Sequence, residues 1–574
     1  MSKSVHDNGS RKPGDLQSQT PCTDSDKPAR CDMMDRRHLL NRILNTPSLE
    51  QVVPRLQPNL LHLVIQTCGL EDCGELVALA TPAQLAHIFD LDLWQAARPG
   101  LDEQFDAVRF GVWLEVLLES GAAIAAQKLA GMDIDLVVTG LAQHARVYDR
   151  AAVMPYETLD GEMVEISRTD DNGLTAEVGG YLLVARREDS WEAIVEVLMS
   201  LGVEYPDYFY KVMRSCITLS NSGYELDGLD NLQADSDQVM FDVAVDREGR
   251  REKQGYVTPA QARAFLEMAR RLRLESGPEP AANPLTRAYF RNLDERTGTD
   301  IQSEAGLLGA GAEAQSASED TAGAVAAVFD ILLEAGVIEQ APKALLGRGE
   351  AQVPRLGHIN AYMQFVLDCD PDAYEIRNEE LVYLANTLMA GCSIQGRSFT
   401  AQESSDAAIA VCNLGLENWL PQWLPVNTPA LPGSFLVNHD LISVFQVGWA
   451  VLHHKVSMCA AQELIEVLAG MRCDDREIQT GLVALRMEMT KCLKSGAPWH
   501  ARDALDVITI LDMTAWAVLC ALFDEFPVLH ASVAASKESE RRSFKVSDFE
   551  FISENSQIAL VGKFMQSLPE ALRY

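Results

Sequence analysis

From about Arg37 onward, apolar residues recur every third or fourth position, the spacing that lines one buried face of a helix. Leu39, Leu40, Ile43 and Leu44 open the pattern. Thr81-Pro82-Ala83-Gln84 reads as a helix start. The hydroxyl and the amide satisfy each other's backbone N–H groups, and Pro fills the first helical position. Ser48 with Gln51 and Thr400 with Glu403 have the same box spacing, and Thr258-Pro259-Ala260-Gln261 repeats the tetrapeptide. Helices over Phe105–Leu118, Ala122–Leu129 and on to His144 complete a short-helix array across residues 37–150.

Near residue 160 the period shortens. Met163–Arg168 and Leu174–Ala185 flank Asp170-Asp171-Asn172-Gly173, and an Asn-Gly between such runs predicts a β-hairpin turn. Gly179-Gly180 then reads as a bulge or break in the second strand. Helices follow at Trp191–Leu201, at Tyr208–Ser215 and from Thr258 to Leu274, so residues 151–275 form a small α+β segment. Residues 276–323 are rich in Gly, Ala, Ser and Glu and read as a linker or loop, with a short helix at Leu285–Leu293. The helical period returns at 324 and runs to 574, through Glu379–Met389, Glu403–Leu414, Leu441–Ser457, Ala460–Leu468 and Glu477–Leu493. Residues 1–36 are polar and without period, the pattern of a disordered tail. The expected fold is mainly α: an N-terminal short-helix array, an α+β middle segment with a β-hairpin, and a C-terminal helical domain.

Length and charge sharpen this picture. The chain has 574 residues, and single cores stop growing near ~250–300 residues. Hydrophobic residues are 47% and charged residues 23%, an ordinary globular balance. The formal net charge of −35 repels phosphate backbones and anionic lipid, which argues against nucleic acid and favours a protein partner. The apolar run Met513–Phe523 is about half the ~20 residues that a membrane-crossing helix needs, so membrane insertion is not expected. Residues 1–35 lack an apolar leader core. The twelve cysteines contain no Cys-x-x-Cys pair, and Cys216, Cys412, Cys459, Cys492 and Cys520 stand singly in apolar helical runs. Reduced thiols in the cytoplasm are the expectation.

Candidate chemistry is sparse. Glu225, Asp227, Asp230, Asp235 and Asp237, continued by Asp242 and Asp246, offer oxygen ligands to a divalent cation but lack the EF-hand spacing. The alternatives are a solvated acidic loop or a dock for a basic segment. His453-His454 lies in the apolar helix with Phe445, Trp449 and Val456, where neighbours point about 100° apart and cannot easily share a metal. His439-Asp440 precedes that helix, with Asp440 placed to cap it. In Cys392-Ser393-Ile394-Gln395-Gly396-Arg397 a thiol stands near a guanidinium, one residue short of a phosphatase loop. Trp419 and Trp423 fall among Pro421, Pro425, Pro429 and Pro432, an aromatic loop suited to partner contact or to packing on the core. No phosphate-binding glycine motif is present, and no motif indicates a cofactor.

The runs LVYLANTLMAGCSIQGRSFTAQESSDAAIAVCNLGLENW, FLVNHDLISVFQVGWAVLHH and GYVTPAQARAFLEMAR resemble a bacterial family known only as a domain of unknown function. The likeness spans roughly residues 37–574 and implies no activity and no site residues. Residues 70–130, with GLEDCGELVALATPAQLAHIFDLDLW, are also similar to the short-helix repeats of magnesium-transporter cytoplasmic domains and flagellar motor switch proteins, which are regulatory and assembly modules. Two functions stay open. One is a protein-binding, scaffold or regulatory protein. The other is a metal-dependent sensor or enzyme whose site draws on Cys392, Arg397, His439, Asp440, His453 and His454.

Overall fold

The computed structural model describes residues 33–150, 156–157, 163–164, 174–221, 233–252, 255–274, 286, 289–290, 319–335, 337, 357–423, 434–470, 476–495, 513–534 and 548–571. It is mainly α, with helices gathered around two hydrophobic cores.

The first core begins with α1 (Met33–Leu44), α2 (Leu49–Val52), α3 (Pro58–Cys68), α4 (Gly74–Leu79) and α5 (Pro82–Asp92). The antiparallel ribbon β1 (Trp94–Ala96) and β2 (Glu103–Phe105) leads into α6 (Ala107–Glu119), α7 (Ala122–Ala130) and α8 (Ile134–His144). Next come β3 (Ala145–Asp149), the pair β4 (Tyr156–Glu157) and β5 (Met163–Val164), and the strands β6 (Thr175–Val178) and β7 (Tyr181–Ala185). Helices α9 (Trp191–Glu204), α10 (Pro206–Asn221) and α11 (Gln233–Glu252) close the set. Trp113, Phe89 and Phe110 are fully buried at its centre.

The Thr81 start behaves as the spacing predicts. Thr81 and Gln84 form the reciprocal capping box, with N–H···O distances of 3.1 and 2.8 Å. The Gln84 amide then donates to the carbonyls of Val53 and Leu56, tying α5 to the preceding turn. Ser48 does not cap. It sits at φ 58° and its side chain makes no cap bond.

The Gly179-Gly180 break is a turn between two strands rather than a bulge in one. Strands β6 and β7 pair antiparallel with Val178 opposite Tyr181, so Gly179-Gly180 is the two-residue turn. Both glycines have positive φ, 57° and 88°, which the tight turn between right-twisted strands requires. β3 joins the other edge of β7, giving the order β3-β7-β6. Asp170–Gly173 lies outside the described residues, and Met163–Val164 pairs with Tyr156–Glu157 instead.

Charged groups are fixed inside this half. The Arg247 side chain is 4% exposed, donates to the Asp90 carbonyl at 2.6 Å and Glu103 at 2.5 Å, and lies over the Trp94 ring. Arg250 grips both carboxylate oxygens of Asp90. Asp92 accepts from His62 Nε2 (3.2 Å), Arg109 Nε (2.6 Å) and Trp113 Nε1 (2.7 Å). Burial alone would raise the Asp92 carboxyl; these three bonds reverse that and hold it well below the usual carboxylate range.

The second core starts with α12 (Pro259–Arg270). Helix α13 (Glu319–Glu334) returns to the first core: Val328 and Leu332 are buried there, and Arg42 of α1 pairs with Glu334. The division between cores therefore differs from the boundaries drawn at 275 and 323. The helical period read from residue 324 begins earlier, at Glu319, and packs back on the first core, whereas the amphipathic α12 packs forward in the chain. The second core continues with α14 (Gly357–Cys369), α15 (Pro371–Gly391), α16 (Ala401–Trp423), α17 (Ser434–Asn438) and α18 (Leu441–Val451). A π-helix, Leu452–Met458, runs into α19 (Cys459–Gly470), followed by α20 (Arg476–Ser495) and α21 (Met513–Leu522). The chain ends with β8 (Val528–His530), α22 (Ala531–Ala534), β9 (Phe549–Phe551) and α23 (Asn555–Ala571). Thr400 and Glu403 form the predicted box at the start of α16.

α16 and α18 cross in backbone contact. A Cβ on Gly415 would sit 2.0 Å from the Val444 carbonyl, and one on Gly448 would sit 1.9 Å from the Val411 carbonyl. The pairs are offset by four residues in opposite directions, so the helices run antiparallel and interlock at two glycines. Among the described residues, no helix is long and apolar enough to cross a membrane.

Two outcomes follow in chemical denaturation. Gly415→Ala or Gly448→Ala should cost about 3 kcal/mol or more, because backbone cannot yield as a side chain does. Asp92→Asn should cost roughly 3–5 kcal/mol at neutral pH by breaking a buried charge cluster. The folded Asp92 pKa is depressed, so its contribution is present above the unfolded value near ~4 and is lost as pH falls below it. The gap between wild type and Asp92→Asn should therefore shrink in acid.

Candidate cavity in the second core

α12 lies against three neighbours at once. Trp449 Nε1 on α18 donates to the Leu266 carbonyl at 3.0 Å. His454 Nε2 on the π-helix donates to the Arg270 carbonyl at 2.8 Å. At the other end of α12, Arg263 donates to the Gly100 carbonyl and pairs with Asp102 at 2.7 Å, both on the β1–β2 loop of the first core. Gly100 has φ 77°, and a Cβ there would approach the Gly391 carbonyl to 3.1 Å; one on Gly391 would meet Ala262 at 2.5 Å. The two cores thus touch backbone to backbone beside Arg263.

Beside these contacts, within the second core, lies a cavity of about 390 Å³, within the ~300–1,000 Å³ usual for small-molecule sites. Its floor is the face of α12 carrying Arg263, Leu266, Glu267, Arg270 and Arg271. That face is about 12 Å long at 1.5 Å per residue. Trp449, Met489, Leu493 and Phe523 supply apolar wall, and His453, His454 and Ser457 come from the π-helix. Both histidines line the cavity from this widened segment, whose backbone bonds are five residues apart. His453 packs edge-on to Trp449, with ring centroids 4.5 Å apart. His454 must donate through Nε2, because a carbonyl only accepts.

The charges here are held by one another. Arg270 and Arg271 pair with Glu267 at 2.8 and 2.6 Å. Burial would raise the Glu267 carboxyl, but the two guanidiniums bring it below its ordinary value. At the far end, Glu525 accepts from the Ser393 N–H (2.8 Å) and hydroxyl (2.6 Å), and Asp524 accepts from the Gln395 N–H.

Of the six residues singled out in the sequence, Cys392, His453 and His454 line the cavity. The other three do not. Arg397 forms a forked pair with Glu403 at 2.7 and 2.5 Å, across a turn in which Gln395 and Gly396 have positive φ. Asp440 caps α18 through the Ser443 N–H at 2.6 Å. His439 stacks on Phe435, ring centroids 4.4 Å apart, and lies 5.1 Å from Trp419. Trp419 is not on a loop: α16 extends through it, and its ring packs on Phe435. Trp423 ends that helix; its side chain, and residues 424–433, lie outside the described residues.

Cys392 is no nucleophile. It is fully buried, and burial first, then Glu525 and Asp524, push its thiol well above the ordinary value. Glu225, Asp227 and Asp230 lie outside the described residues, whereas Asp235, Asp237, Asp242 and Asp246 ride on helix α11 rather than a loop. Among the described residues, no three His, Cys, Asp or Glu groups gather at metal-binding distance. Arg263, Glu267, Arg270 and Arg271 were missed, because on an amphipathic helix they resemble a solvated face; their spacing of four, three and one residues was the available signal.

Alkylation followed by peptide mass spectrometry should separate these thiols. Exposed Cys369 should react in the native protein, whereas Cys392 and Cys412 should stay protected until it unfolds.

Residues 23–226 match the model of a family of unknown function (DUF6178). The match lies in the first half of the chain, whereas the runs that suggested such a family lie after residue 254. No curated protein and no solved structure matches the chain.

Proposed function

We propose that the protein is a cytoplasmic ligand-responsive regulator that binds a small, elongated organic molecule in the cavity of its second core. The observation that carries this reading is the cavity wall itself: a π-helix with two histidines facing an α12 floor. Widened turns of this kind occur often at functional sites. Binding is favoured over catalysis by the state of the groups. The cysteine is buried and protonated, Glu267 is neutralised by two arginines, and His454 is engaged with backbone. An apolar middle with polar ends suits a ligand carrying hydrogen-bonding groups at both termini.

Regulation is favoured by Arg263. It lines the cavity and also holds the β1–β2 loop, and Glu103 on β2 grips Arg247 and Arg251 of α11. A ligand that shifts Arg263 acts on the lock between the cores. The nine described cysteines are all unbridged, which accords with a reducing compartment.

Native mass spectrometry of the intact protein from its natural cells tests this. The wild type should carry one small adduct, and Ala461→Phe, which fills the cavity, should lose it while still folding. A ligand at a hundred times its Kd should add about 2.7 kcal/mol of stability. A bare wild-type mass, or an adduct retained by Ala461→Phe, would falsify the reading.

A further inference from the structure

Two exposed helix faces, one on each core, remain outside the cavity reading. On α11, Phe241 (61% exposed) and Val245 (46%) stand one turn apart. Asp242 and Asp246 are exposed beside them. On α20, Met487 (66%) and Val483 (44%) stand at the same spacing. Lys491 and Lys494 continue that stripe in the exposed class, and a shallow groove lined by Arg486, Met487, Thr490, Lys491 and Lys494 runs along it. Glu488 is the single acid among residues 483–494. The inward faces of both helices are already used: Val243 and Arg247 on α11, and Leu482, Leu485 and Met489 on α20.

We infer that the α11 face of one copy of this chain docks on the α20 face of another. The match has two independent parts. First, each face centres on two large apolar side chains four residues apart, the row spacing that lets one helix surface seat in the groove of another. Second, the flanking charges are opposite, and on a chain of net charge −35 a basic, apolar stripe is the unusual partner. Because the two faces differ, the contact is heterologous and joins copies head to tail, into a ring if the rotation closes and an open chain if it does not. A helix-on-helix contact is small beside the ~800 Å² per partner of a standard interface. The association is therefore weak, concentration-dependent and reduced by salt.

Sedimentation velocity of the full chain tests this with a complementation design. In low salt the wild type should form species larger than monomer as concentration rises, and added salt should dissolve them. Phe241→Ser with Val245→Ser should sediment as a monomer, and so should Val483→Ser with Met487→Ser. Mixed in equal amounts, the two variants retain one intact face each and should form a dimer that grows no further. That dimer also shows that both variants are folded. A wild type that stays monomeric, variants that associate like wild type, or a mixture that stays monomeric would each overturn the inference. Binding of a monomeric wild type to phosphatidylserine vesicles through Met487 would also overturn it, assigning the α20 face to lipid.

Discussion

The close crossing of α16 and α18 is the contact on which the second half depends. Two glycines let the backbones meet, so α18 has one position and one rotation available to it. Its start is fixed as firmly. Asp440 caps it, Glu380 accepts the Leu441 N–H at 2.7 Å, and Arg377 pairs with Glu380 while donating to the Leu436 carbonyl. Trp449, one residue after the second glycine, is thereby aimed at the Leu266 carbonyl on α12. The cavity is the space left where helices so constrained cannot close on each other. A pocket held open by backbone contacts keeps its shape when empty, which lowers the cost of filling it.

The first half is held by a different device. Asp90, Asp92, Glu103, Arg109, Arg247, Arg250 and Arg251 form buried or half-buried hydrogen-bonded pairs. Such clusters add little net stability over apolar packing, but each member is costly to strand alone. The arrangement therefore fixes where α11 lies against β1 and β2 more than it strengthens the fold. It also sets Asp102, next to Glu103, where Arg263 reaches it.

What the sequence revealed follows from what each signal encodes. Helix existence was legible because burial of one face leaves a period, and the boxes at Thr81 and Thr400 worked because they are purely local. Ser48 failed although its spacing was right, because its own φ of 58° turns the hydroxyl away from the helix end. Gly179-Gly180 was read as a bulge because composition alone does not separate a break in a strand from a turn between two; strand pairing makes it a turn. Long-range facts left no trace in any local window. Arg247 looks like a solvated residue until Asp90 and Glu103 are brought to it. The π turn has no composition of its own. The site was half legible for the same reason: histidines and a cysteine draw notice wherever they stand, whereas the arginines of α12 acquire meaning only from what faces them.

The π-helix has one more consequence. Each such turn holds an extra residue relative to the helix it interrupts, and one residue is about 100° of rotation. Everything after Met458 is therefore out of phase with α18. The inward line of α18, through Val444, Gly448 and Val451, does not continue into the inward line of α19, through Ala460, Leu464 and Leu468. The insertion works as a phase shifter between two packing registers, and the histidines sit inside the shift. Loss of a single residue from this segment would let ordinary α-turns take its place with α19 still facing inward, so the extra residue builds the widened turn and not the seat of α19.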